Sequence, residues 1–124
     1  MANPDRGEFS LTLNDKSYTL RPSFNAMSEF EDAAGCSVLE ALSDAREGKI
    51  RAKTIAICVW AGMRGYILAT NGNPDRDCLS VNEIGEHLQR EHGFAGALEF
   101  AVEFLSKSLA TDTAIEELEA SEKK

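Results

Sequence analysis

The chain has 124 residues, 43% hydrophobic and 27% charged, which suits one globular domain able to bury about two thirds of its unfolded surface. A formal net charge of -8 argues against binding a phosphate backbone, which calls for clustered Lys and Arg, and favours basic protein partners. The N-terminus MANPDRGEF lacks the apolar run of a signal peptide, and no apolar stretch reaches the roughly 18 residues of a membrane span. The expectation is therefore a cytoplasmic protein that engages neither nucleic acid nor membrane. Three cysteines, Cys36, Cys58 and Cys78, stand at spacings of 22 and 20 residues, which match neither a disulfide framework nor a CxxC metal pair. Reduced, unpaired thiols follow.

In chain order, GEFSLTLNDKSYTLR from Gly7 to Arg21 comes first: two runs of alternating apolar and polar side chains split by Asn14 and Asp15. A two-residue loop there sets Leu13 opposite Lys16, Leu11 opposite Tyr18 and Phe9 opposite Leu20. That register gathers Phe9, Leu11, Leu13, Tyr18 and Leu20 on one face and pairs Glu8 with Arg21, Ser10 with Thr19 and Thr12 with Ser17 on the other. A three-residue loop would mix the two faces. A lone hairpin is marginal in water, so its apolar face must sit on the following helices or on a second chain. The outward amides, those of Ser10, Thr12, Ser17 and Thr19, form two edges free of proline, and one of them is expected to join a neighbouring subunit.

After Arg21-Pro22, either Ser23 or Asn25 caps a short helix that stops at Gly35. SVLE, Ser37 to Glu40, is a capping box that opens a second helix running to about Glu47, with Val38, Leu42 and Ala45 on one stripe and Gly48 after it. From about Arg51, RAKTIAICVWAGMRGYILAT reads as a third helix, apolar almost all round between Ile55 and Ala61, which belongs at the centre of the domain. Within it AGMRG, with glycines three apart, points to close helix packing. NGNPDRD, Asn71 to Asp77, reads as a turn-rich loop, and SVNE, Ser80 to Glu83, as the capping box of a fourth helix ending near Gly93.

The fifth helix, FAGALEFAVEFLSKSLA, carries an apolar arc of roughly 200° at about 100° per residue, including Phe94, Leu98, Phe100, Phe104 and Leu105. Packing on one neighbour needs about half that width. The surplus is buried within the domain or forms part of an oligomer interface. The fold class expected is α+β, mainly α: an N-terminal antiparallel β-hairpin and about five helices in a single domain over residues 1–110. Residues 111–124, TDTAIEELEASEKK, form a charged, flexible tail with Ile115 and Leu118 as its apolar groups.

Chemistry-bearing motifs are sparse. His87 and His92 are five residues apart and so do not share a helix face as a zinc pair does. Asn71, Asn73, Asp75 and Asp77 alternate like the start of a calcium loop, but Arg76 sits where that loop needs glycine and Asn82 where it needs glutamate. Cys58 inside the apolar helix reads as a core residue. The run REGKIRAK, Arg46 to Lys53, holds four cations in eight residues, either a solvated helix junction or a seat for an acidic neighbour. The reading is a protein without catalytic residues, metal or cofactor, whose business is binding or assembly. Its candidate partner-binding residues are Ser10, Thr12, Thr19, Phe100, Phe104, Ile115 and Leu118.

The order GEFSLTLNDKSYTLRPSFNAMSEFEDAAGCSVLEAL followed by GKIRAKTIAICVWAGMRG resembles the small tail-assembly chaperone family of long-tailed phages and gene transfer agents, sometimes labelled a phage tail tube protein family. The matching features are a hairpin ending in a Leu-Arg step, Leu20-Arg21, and a helix with acidic residues, Glu29 and Glu31, closed by Gly35. The likeness extends through Gly65 and weakens after Asn71. It implies a non-catalytic protein that binds the tape-measure protein, or guides its assembly with tail tube subunits, in the host cytoplasm; the open hairpin edges and the apolar surplus add the expectation of a homo-oligomer. The alternative it leaves is a structural tail or connector component retained in the virion.

Overall fold

A computed structural model describes residues 7–109, which form β1 (Phe9–Leu13), β2 (Lys16–Leu20), α1 (Phe24–Ala34), α2 (Val38–Arg46), α3 (Ala52–Ala69), α4 (Pro74–Asp77), α5 (Val81–Glu91) and α6 (Gly93–Ser108). The two strands pair antiparallel with Phe9 opposite Leu20, Leu11 opposite Tyr18 and Leu13 opposite Lys16. Asn14 and Asp15 make the connection with φ of 52° and 62°. Both angles are positive, as a turn matched to strand twist requires, and Asn and Asp are the non-glycine residues that accept them at least cost. Phe9, Leu11, Leu13 and Leu20 are buried and Tyr18 is half-buried, so the predicted face and register both hold.

Side chains set the helix starts. Ser23 Oγ accepts from the Ala26 amide at 3.1 Å, which makes Ser23 the cap of α1, and Gly35 ends that helix in the left-handed conformation. At α2, Ser37 Oγ accepts from the Glu40 amide at 3.0 Å, while Glu31, on α1, takes the Val38 amide at 2.9 Å. The box at Ser80 and Glu83 forms in both directions on α5. One expectation needs correction: the 71–77 stretch is more than a loop, because Asn73 Oδ1 accepts from the Asp75 amide and Pro74 supplies a preset φ, enough to wind the single turn α4. Six helices are therefore described, the fifth expected one being α6.

Helix α3 is the axis. From Thr54 to Gly65 every residue is buried except Trp60 and Arg64, which are half-buried. It packs on α1, α4, α5, α6 and β2, and α2 closes the far side of α6. Phe30 and Phe104 meet in the core with ring centroids 6.0 Å apart. Each such side chain contributes roughly 1.5–3 kcal/mol by leaving water. Gly62 and Gly65 let the hairpin's end approach: a Cβ on Gly62 would lie 2.8 Å from the Leu20 Cβ, and one on Gly65 2.6 Å from the Arg21 carbonyl oxygen. The close packing expected of AGMRG is thus between α3 and the Leu20-Arg21 step. None of the described helices is long and apolar enough to cross a membrane.

Candidate partner-binding surfaces

The hairpin has two outer edges, and the fold treats them differently. Just past the end of β2 the chain is bonded to α3, the Arg21 amide donating to the Gly62 carbonyl at 2.9 Å; on the strand itself Thr19 is half-buried and Ser17 exposed. Along β1 the edge meets the end of α5. His92 Nε2 lies 2.8 Å from the Thr12 carbonyl oxygen, with its ring edge-to-face on Phe100 at 5.2 Å between centroids. Glu91 reaches the same corner, its Oε1 accepting from the Asn14 amide at 2.7 Å and its Oε2 lying 3.1 Å from His87 Nδ1. His92 and Glu91 therefore latch the hairpin to the end of α5, with His87 beside Glu91 on the same helix. Ser10, further along β1, is exposed.

A second cluster ties α1, α3 and α4. Arg64 donates to both carboxylate oxygens of Glu29, at 3.1 and 2.8 Å, reaches Asp75 at 3.0 Å and lies over the Trp60 ring at 5.0 Å. The hydrogen bond to Glu29 and the contacts with Asp75 hold the guanidinium in its charged form against the cost of burial. The alternating polar groups of 71–77 are spent locally: Asp77 takes the Asn73 amide at 3.0 Å and pairs with Arg76 at 2.9 Å. Its carboxyl is lowered from the ordinary range first by Arg76 and then by that amide.

The thiols are held neutral by their surroundings. Burial pushes Cys58 well above its ordinary value and Cys78 up to about 11. Cys36 is raised by burial and by Glu40, Asp44 and Glu31.

Between α3, α5 and α6 runs a groove of about 540 Å³. Buried Ile55, Ala56, Leu88 and Ala97 form its floor, and exposed Ala52, Lys53 and Phe94 stand on its rim. The space exists because the facing positions, Ala52, Ala56, Gly85 and Ala97, are small.

A family model described as phage tail tube protein, GTA-gp10, matches residues 6–111. The chain belongs to this family. No curated protein and no solved structure matches it. The match runs well past Gly65 and takes in α4, α5 and α6 as well as the hairpin. The features that carried the resemblance are all scaffolding in this family member: Leu20-Arg21 seats on Gly62 and Gly65, Glu29 holds Arg64, Glu31 holds the start of α2, and Gly35 supplies the left-handed turn.

Placement of the expected binding residues is uneven. Ser10 and Thr12 are exposed, and Thr19 is half-buried. Phe100 is half-buried beneath His92, and Phe104 is fully buried against Phe30, so Phe104 is a core residue and presents nothing to a partner. Ile115, Leu118 and the tail lie outside the described residues. The surplus apolar arc of α6 goes largely into the domain, because α2, α3 and α5 all pack on it, which leaves Phe94 and Leu109 exposed at its ends. Sequence reading missed the groove and the Arg64 cluster. A positive signal for the groove lay in the small residues of α3, α5 and α6, and Glu29 and Arg64 are 35 residues apart.

Proposed function

We propose that this family member is a tail-assembly chaperone: a non-catalytic, cofactor-free binding protein that engages the tape-measure protein in the host cytoplasm while a phage or gene-transfer-agent tail is built. The observation that carries the reading is that the sheet among the described residues is a single hairpin of two five-residue strands in a helical domain. A tube wall is a sheet continued from subunit to subunit, which needs two open edges on each. This hairpin, the one sheet among the described residues, has strands of five residues, with the Thr12 carbonyl on its β1 edge already taken by His92, too little for a continuous wall. A helical body with an apolar groove and exposed Phe24, Leu39 and Phe94 suits recognition of a long helical partner instead.

The second reading, a tail component retained in the virion, is favoured by the family description itself, phage tail tube protein. Two measurements divide them. Co-expression with the tape-measure protein should give a complex that survives affinity purification, and mass spectrometry of purified particles should find this chain absent or far below the tube subunit. Stoichiometric presence in particles without tape-measure capture would establish the second reading.

A further inference from the structure

The groove between α3, α5 and α6 has its own filler on its rim. Of the large apolar side chains exposed among the described residues, Phe24, Leu39, Leu68, Phe94 and Leu109, only Phe94 lines it. That ring, 51% exposed, stands beside a floor of buried Ile55, Ala56, Leu88 and Ala97. Knob and hole are neighbours on one face. A closed twofold pair needs this arrangement, because it matches a single patch with itself, whereas a knob and a hole on opposite faces build an open chain.

The charges fall in the same pattern. The lining holds one cation, Lys53 on α3, and one anion, Glu86 on α5. Both are exposed, and neither forms an ion pair among the described residues. They cancel, which leaves a neutral apolar face on a chain whose formal charge is -8. Two such copies repel over most of an acidic surface and least where a face like this one meets itself. A half-turn about an axis running along the groove, between its α3 and α5 walls, sets Lys53 of each copy against Glu86 of the other. We propose that a second copy of this chain covers the groove, in a twofold dimer that seats each Phe94 on the other's floor and makes the Lys53–Glu86 pair twice. The dimer is a property of the chain alone and does not rest on the chaperone reading. A helical partner that takes the groove has to displace the second copy.

Sedimentation equilibrium of the full chain should show the mass rising from one chain to two between about 1 µM and about 500 µM. Lys53→Glu and Glu86→Lys each bring like charges together at both symmetric contacts and should raise the dissociation constant at least about fivefold, with circular dichroism unchanged. Phe94→Ala should raise it at least about tenfold. Mixing the two charge variants in equal amounts should restore dimers to within about twofold of the wild type, because each reversed side chain then faces an opposite charge across the axis. Ser10→Pro, on the β1 edge, should leave the dimer as it is. A monomer at every concentration overturns the proposal, whether residues 111–124 or a partner's helix then takes the groove. So does growth beyond two copies, a dimer that Ser10→Pro breaks, a dimer indifferent to the charge variants, or a failure of their mixture to restore it. Capture of the tape-measure protein is a separate measurement, which tests the chaperone reading and leaves the dimer untouched.

Discussion

At the scale of single residues, three glycines of the helices make a graded test of packing. A Cβ on Gly65 would sit 2.6 Å from the Arg21 carbonyl, which is backbone and cannot swing away, and one on Gly62 would meet the Leu20 Cβ at 2.8 Å. On Gly85 it would meet the Ala56 Cβ at 3.6 Å, an ordinary contact. Overpacking costs about 1–3 kcal/mol, whereas Gly→Ala in a helix gains up to about 1 kcal/mol. Urea denaturation should therefore find Gly65→Ala destabilised by about 1–2 kcal/mol, Gly62→Ala by less, and Gly85→Ala stabilised. Equal effects at all three would refute the close seat of the Leu20-Arg21 step. The thiols give a pH test. Cys78 rises from the ordinary 9.0 to about 11 on burial, so the unfolded chain ionises it first as pH climbs. Its contribution to stability is whole below about pH 9 and is lost as pH rises through 11. Between pH 8 and 10.5, Cys78→Ala should lose less of its urea midpoint than the wild type does, and an equal loss would place the thiol in solvent.

At the scale of elements, the hairpin is held at both ends, by Gly62 and Gly65 at the Leu20-Arg21 step and by Glu91 and His92 at the turn. His92→Ala removes a hydrogen bond to a backbone carbonyl and an aromatic contact, together about 1–2 kcal/mol. Hydrogen exchange should speed up in β1 and the turn while α3 and α6 keep their protection. Uniform loss of protection would show that the latch is part of the global core. Leu11, 3% exposed, is a different case: Leu11→Asp should unfold the domain by burying an unpaired charge. On the open edge, Ser10→Pro deletes an outward amide without touching the internal ladder. If copies pair there, light scattering should report a lower mass with helical circular dichroism unchanged. A wild-type mass in the variant, or a monomeric wild type, confines the hairpin to covering its own core.

At the scale of the whole molecule, one hydrophobic cluster joins the hairpin to α1, α2, α3, α5 and α6. Such a cluster should melt as a unit. Phe104→Ala removes the ring that meets Phe30 and opens a cavity at its centre, at a cost of about 3–5 kcal/mol out of the 5–15 typical of a domain. Trp60 fluorescence and far-ultraviolet circular dichroism should then shift together to a much lower urea midpoint. Separate transitions would divide the hairpin and α1 from the α5–α6 pair.

The parts of this protein that local chemistry controls were legible before any fold was known. Alternation in FSLTL and KSYTL, with Asn14 and Asp15 between them, determined the hairpin's register because a one-residue slip would turn Leu11 and Leu13 to water. Ser37, Ser80, Gly35 and Gly48 determined where helices start and stop because each acts on amides or carbonyls within one turn of itself. The one-turn α4 escaped because PDRD is too short to show a period. Periodicity also showed how wide the apolar arc of α6 is, but not what covers it. That depends on three helices arriving from elsewhere in the chain, and their arrival makes Phe104 core. The Arg64 clamp on Glu29 and Asp75, the seating of the Leu20-Arg21 step on Gly62 and the groove left between small residues of α3, α5 and α6 are likewise distances between segments far apart in sequence. Only packing sets such distances, because a side chain's pattern states which face is apolar and carries no information about which other face it meets.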